Sequence, residues 1–296
     1  MKRLIVLAFI GLVAQLVDGA LGMAYGVTST SLLLLFGIAP AVASASVHMA
    51  EVVTTAASGI AHIRFGNVDK QVVIKLIVPG SIGAFLGACF LSNIPATFIK
   101  PFVSGFLLLL GVFIIYRFLF QTHPAQFAEK KLTKKKSVPL GLIAGFLDAT
   151  GGGGWGPIAT PVLLTGNRME PRKVIGSVDT SEFAIALSST LGFLLTLGWS
   201  NISLQWVLAL MIGGIIAAPI AAWLVKKLPT TLLGILVGGV IILTNIGTLF
   251  DTLKVPTIVL NVTYGTFVFL WIAAVFFVIR KLKKTEWKAK ASPNNR

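Results

Sequence analysis

Asp148-Ala149-Thr150-Gly151-Gly152-Gly153-Gly154-Trp155-Gly156-Pro157-Ile158-Ala159-Thr160-Pro161 lies between two apolar runs, Leu140–Leu147 and Ile158–Leu164. Glycine costs a helix about 1 kcal/mol relative to alanine, so four in a row interrupt one. In a soluble protein the stretch reads as a loop. In apolar surroundings it reads as a helix broken inside a bilayer. Unwound backbone is tolerated at that depth only where protein buries it or it lines a cavity. The stretch is therefore the first place to seek a substrate.

The surroundings are membrane-like. The chain has 296 residues, 55% hydrophobic and 12% charged, with a mean hydropathy of +0.89. Soluble proteins carry roughly 25% charged residues. Charge this scarce cannot solvate a globular surface, so the composition predicts an all-α, polytopic membrane protein. The net charge of +15 does not indicate nucleic acid. Its basic residues concentrate around Lys130–Lys136 and Arg280–Lys290, beside apolar spans, where they set orientation. The single Cys89 has no intrachain disulfide partner. Met1-Lys2-Arg3 followed by Leu4–Val17 resembles a signal peptide, but no A-x-A site follows, and the segment is read as mature structure.

Two halves repeat. Gly11–Asp18 matches Gly141–Asp148, and Gly22 and Gly26 match Gly152 and Gly156. Pro40 and Glu51 then pair with Pro171 and Glu182, and Asn67, Gln71, Gly80 and Pro95 with Asn201, Gln205, Gly214 and Pro229. An ordered series of this kind predicts a duplicated, transporter-like fold. Each half holds one broken segment (Leu4–Gly37, Leu140–Gly166) and three spans. These are Ala41–Ile63, Val72–Leu91 and Phe98–Leu119, then Val174–Leu197, Leu204–Val225 and Leu232–Phe250. A last span, Val255–Ile279, has no counterpart. If each broken segment is a re-entrant hairpin, every Lys- and Arg-rich loop falls inside. That model gives three crossings per half and two inverted repeats, each a re-entrant hairpin plus three transmembrane helices, with one extra C-terminal helix. The expected divisions are a first repeat (1–120), a basic cytoplasmic linker (121–139), a second repeat (140–250), the additional helix (251–280) and a basic cytoplasmic tail (281–296).

Gly151, Gly152, Gly153, Gly154 and Gly156 supply backbone N–H groups and conformational freedom, the makings of an anion-binding nest. Half-helix N-termini meeting there would add partial positive charge. Thr160 lies just beyond. The first-half equivalent is Gly19, Gly22 and Gly26 with the hydroxyls of Thr28, Ser29 and Thr30. Tyr25 and Trp155 sit at nearly matched positions, as walls or as plugs. Gly80, Gly83 and Gly87 share one helix face and read as packing residues. Ionisable groups inside spans cost on the order of 2.5–3.5 kcal/mol each, so each needs a reason. His48 and Glu51 are matched by Asp179 and Glu182 at the same spacing, while Asp18 and Asp148 end the first half-helices. Asp18 and Asp148 either lock the hairpins by satisfying freed N–H groups or take part in transport. Glu51 and Glu182 are read as proton carriers or gates, which predicts pH-dependent transport. The three histidines form no ligand-spaced cluster, so no metal is expected. No phosphate loop, nucleotide fingerprint or nucleophile elbow is present, so neither ATP-driven pumping nor enzymatic catalysis is expected, and no cofactor.

The duplicated unit resembles the sulfite exporter TauE/SafE family of bacterial membrane proteins. The resemblance rests on the glycine run ending in Pro157 and Pro161, on Pro171, Gly176 and Ser177, and on Asn67-Val68-Asp69; it covers roughly Gly11 to Phe250. It implies export of sulfite, sulfoacetate or related small anions without ATP. The first half departs from the pattern, with a thinned glycine run and Ser31 where the second half has Pro161. The combined expectation is a secondary transporter in the bacterial inner membrane, binding its anion between the two breaks with alternating access. The expected partners are that anion, protons, membrane lipids and a second copy of the chain. The alternatives are an uncoupled anion channel and a non-transporting assembly partner.

Overall fold

A computed structural model describes residues 2–21, 23–120, 132–165, 169–224 and 230–291. The order is α1 (Lys2–Leu21), α2 (Tyr25–Leu35), α3 (Pro40–Arg64), α4 (Lys70–Ser92), α5 (Ala96–Phe120) and α6 (Lys134–Gly151). It continues with α7 (Trp155–Thr165), α8 (Pro171–Leu197), a 3-10 turn (Trp199–Asn201), α9 (Leu204–Leu224), α10 (Thr230–Thr252) and α11 (Thr257–Ala291). No strand occurs among the described residues. Five helices are long and apolar enough to cross a membrane: those over 70–92, 96–120, 173–197, 231–252 and 257–282. The chain is a multi-pass, all-helical membrane protein.

Helix termini follow the local sequence. Asp69 caps α4 by accepting from the N–H groups of Gln71 (2.8 Å) and Val72 (3.2 Å). Pro171 opens α8, where its missing N–H costs nothing. Each broken segment is two helices with an interruption between them: Met23 and Ala24 precede α2, and residues 152–154 part α6 from α7. α6 begins at Lys134, inside the stretch read as the basic linker, and α11 continues through most of the stretch read as the tail.

The core is apolar, as in a soluble protein, but so is much of the outer surface. On α4, Ile74, Val78, Ile82, Leu86 and Phe90 form a stripe four residues apart and are all exposed, as lipid contact requires. The opposite face of α4 lies on α6 and α8. α4 and α6 approach closely because glycines line the seam: a side chain at Gly83 would strike the Leu142 carbonyl, and one at Gly145 the Gly80 carbonyl. α1 lies on α9 in the same manner, with Gly11 against Leu210 and Gly213 against Ala8. α5 packs on α10, and α3 on α8. Among the described residues α11 packs chiefly on the flank of α10, held by Tyr264 and Trp271 donating to the Leu243 and Ile235 carbonyls (3.2 and 2.9 Å).

Candidate functional site

The two breaks touch. Gly26, the second residue of α2, lies against Gly153: a Cβ on Gly26 would stand 2.7 Å from Gly153 Cα and 2.9 Å from Glu51 Oε1. A Cβ on Gly153 would strike the backbone of Gly26 and Val27, and one on Gly152 the Thr30 side chain. Gly152 and Gly153 also have positive φ (70° and 143°), a region that favours glycine. Thr30 Oγ1 donates to the Gly152 carbonyl across the crossing. Gly151 packs against the Phe106 ring. Gly154 differs, since a Cβ there would meet nothing nearer than 3.4 Å. Two of the four glycines, Gly152 and Gly153, are therefore required where the breaks cross, while Gly151 makes room for Phe106.

Each break is tied by an aspartate. Asp18 Oδ1 accepts from the Tyr25 N–H (3.2 Å), and Asp148 Oδ1 from the Trp155 N–H (2.9 Å). Each carboxylate thus caps the half-helix that follows its own break, beside the positive end of that helix. The Asp148 carbonyl also accepts from the N–H of Gly153 (2.9 Å) and of Gly152. The Gly152 and Gly153 amides are therefore satisfied internally in this conformation. At the breaks, the buried hydroxyls of Thr28, Ser29 and Thr160 have no hydrogen-bond partner among the described residues. Ser29 stands beside the Tyr25 phenol.

The two aspartates face different partners. Asp148 Oδ2 lies 3.0 Å from His48 Nε2, and both side chains are wholly buried. His48 Nδ1 lies 2.8 Å from the Ser44 carbonyl, which only accepts, so Nδ1 carries a proton. The contact to Asp148 then holds one further proton, whichever group it resides on, and the pair is neutral overall. At the equivalent place in the other half, Asp18 meets Asp179 instead. Asp179 Oδ2 accepts from Ser58 Oγ at 2.7 Å, and His62 Nε2 lies 3.8 Å away at the edge.

Asp18, Asp179, Glu51 and Glu182 line one small polar cavity between α1, α3 and α8. Its volume is ≈ 10 Å³, about the space that one water requires. Gln15 and Tyr25 complete the wall on the side of the first break. Gln15 Oε1 and Glu51 Oε2 are buried without a partner among the described residues. The cavity holds four carboxyls and no Lys or Arg. It suits a proton or a small cation and is too small for an anion the size of sulfite.

The structure thus gathers Asp18, Tyr25, Gly26, Glu51, Asp179 and Glu182 on one side of the crossing, with His48 and Asp148 on the other. Trp155 is completely buried; its indole N–H donates to the Val178 carbonyl and Ser181 Oγ (both 3.1 Å), and its ring fills the space above Gly80. It is a plug, whereas Tyr25 is a cavity wall. Gly156 is buried in the first turn of α7. Gly19 lies in α1, and Gly22 falls outside the described residues. No group of three potential metal ligands occurs among the described residues.

Sequence reading missed Gln15, Thr55 and Ser58. The signal was there: Gln15 is three residues before Asp18, and Thr55 and Ser58 follow Glu51 at four and seven residues, on one helix face. It also missed that two quoted motifs meet. Ser177 Oγ accepts from the Asp69 N–H at 2.8 Å, and Gly176 lets α8 approach the Asn67 carbonyl.

The sequence profile described as "Sulfite exporter TauE/SafE" matches residues 7–248, which include both breaks and every cavity residue. The chain belongs to this family. It is a membrane transporter of the TauE/SafE family, and it is similar to two proteins of Bacillus subtilis (strain 168). "Probable membrane transporter protein YtnM" is 63% identical over 285 residues, covering 95% of this chain and 94% of that one. "Probable membrane transporter protein YdhB" is 27% identical over 236 residues, covering 79% and 93%. No solved structure matches the chain.

Proposed function

We propose that the chain is a secondary exporter of small anions, sulfite or short organosulfonates, in a bacterial inner membrane. One observation carries this beyond family membership: the N-termini of two half-helices, α2 and α7, converge where Gly26 lies on Gly153. Each end is capped by its own aspartate in this conformation, so an anion meets their partial positive charge, at a depth where water is absent, once the crossing opens and the caps shift. The unpartnered hydroxyls of Thr28 and Thr160 are donors in reserve nearby.

An inverted repeat is supported by the packing: the first helix of each half lies on the fourth helix of the other, α1 on α9 and α6 on α4. A two-fold exchange of halves produces such a pattern. The re-entrant topology keeps the basic loops inside. On this reading the described conformation is occluded, and rocking one repeat against the other opens the crossing to each side in turn. The four-carboxyl cavity carries the coupling protons. Glu51 links it to substrate, since the same side chain touches Gly26 and lines the cavity.

The test is flux of sulfite, sulfoacetate and methanesulfonate in proteoliposomes containing the purified protein. Movement of at least one, saturable and absent from empty liposomes, is expected. No flux for the whole panel would refute the substrate class.

A further inference from the structure

Arg117 is a buried cation with no counter-ion among the described residues. It lies in the last turn of α5, 6% exposed. Among the described residues it makes one hydrogen bond, from Nη1 to Met23 Sδ (3.1 Å), a thioether that accepts weakly. The ring of Phe118 lies 5.8 Å from its Cζ. The ion pairs of His48 with Asp148 and of His62 with Asp179 do not involve Arg117. A basic residue in the last turn of a helix is ordinarily an orientation anchor that reaches for headgroups or solvent. Arg117 instead turns inward, onto Met23, which lies in the first helix break itself. An ionisable side chain buried at membrane depth is retained when it has something to bind.

We infer that Arg117 is the anion-loading residue of the transporter, an oxyanion subsite beside the first break. This rests on the anion-export reading above and adds the group that recognises the charge. The guanidinium fork offers two parallel N–H donors that match two oxygens of a sulfite or sulfonate. The acid cavity excludes such a ligand from the other side of the break, so cation and acids divide the labour: the anion at Arg117, the proton at the carboxyls. The repeat is broken at this position. The counterpart of Arg117, by the spacing that pairs Pro95 with Pro229, is Asp251, which is exposed. The subsite therefore belongs to one end of the pathway. That end adjoins the basic stretch 130–136 and is the cytoplasmic one on the orientation proposed above, where an exported anion enters.

The experiment compares wild type with Arg117→Lys, Arg117→Gln and Arg117→Met in detergent and in proteoliposomes. Sodium sulfite, sodium methanesulfonate and sodium chloride are titrated while thermal stability and flux are read. Sulfite or methanesulfonate should stabilise wild type and not the Gln or Met variants. KM for flux should rise about 10- to 100-fold in those variants, the loss expected of a charge-assisted contact, with Lys intermediate. Without anion, the Met variant should be at least as stable as wild type, because an unpaired charge has been removed, which keeps the test valid if Gln folds poorly. Unchanged anion stabilisation and unchanged KM in both variants would overturn the inference while leaving the export reading intact. A wild type stabilised through Arg117 by chloride alone would support the anion subsite and count against the sulfur-anion reading. A wild type unaffected by all three salts would overturn the inference.

Discussion

His48 and Asp179 occupy equivalent places in the two halves, yet one forms a neutral pair and the other joins a crowd of acids. Removing a partner from a buried pair leaves an uncompensated polar group and costs about 3–5 kcal/mol. His48→Ala should therefore lower the thermal midpoint in detergent markedly. Asp179→Asn should leave it unchanged or raise it, because it thins the four carboxyls while an amide oxygen can still accept from Ser58. Equal losses in both variants would show that the two sites do the same structural work. The importance of these residues was legible from the sequence, since a charge inside an apolar run always requires a reason. Their partners were not. His48 meets Asp148 one hundred residues away, and no local pattern encodes that contact. Arg117 was hidden for a related reason: at the edge of a basic linker it reads as one more anchor, and only the fold turns it inward.

At the scale of elements, the breaks were legible because glycine runs have few other uses in an apolar chain. The helix ends fall at or close to the glycines and prolines that signal them, including Pro40, Gly151 and Pro171. What glycine does there was less legible. The sequence suggested exposed amides, whereas in this conformation the Gly152 and Gly153 amides are bonded to the Asp148 carbonyl and the glycines serve a backbone crossing. Gly153→Ala would force a Cβ onto Val27 and Gly26 at φ 143°. Overpacking costs about 1–3 kcal/mol, and the disfavoured backbone adds about 1–2 kcal/mol. Gly154→Ala has room and ordinary backbone. Gly153→Ala is expected to lose both stability and flux, and Gly154→Ala to keep its stability. Melting curves with parallel flux assays decide the matter; equal tolerance at both positions would mean that the crossing is looser than described.

At the scale of the whole molecule, two halves clasp each other through glycine-lined seams, and lipid-facing stripes cover the outside. The helical membrane class was legible from hydropathy alone, because few other folds can satisfy a backbone in lipid. The exchange of helices between halves was not, since it depends on where glycines allow close approach. This arrangement brings the acid cavity against the crossing, with Glu51 belonging to both. On the proposed function, this shared side chain makes proton–anion coupling the step that drives export. It is tested most directly by anion accumulation in proteoliposomes under an imposed proton gradient, comparing wild type with Glu51→Gln and Glu182→Gln. Wild type should accumulate sulfite or a sulfonate against its gradient, and both variants should only equilibrate it. Accumulation undiminished in both variants, or wild-type flux indifferent to the proton gradient, would contradict the account.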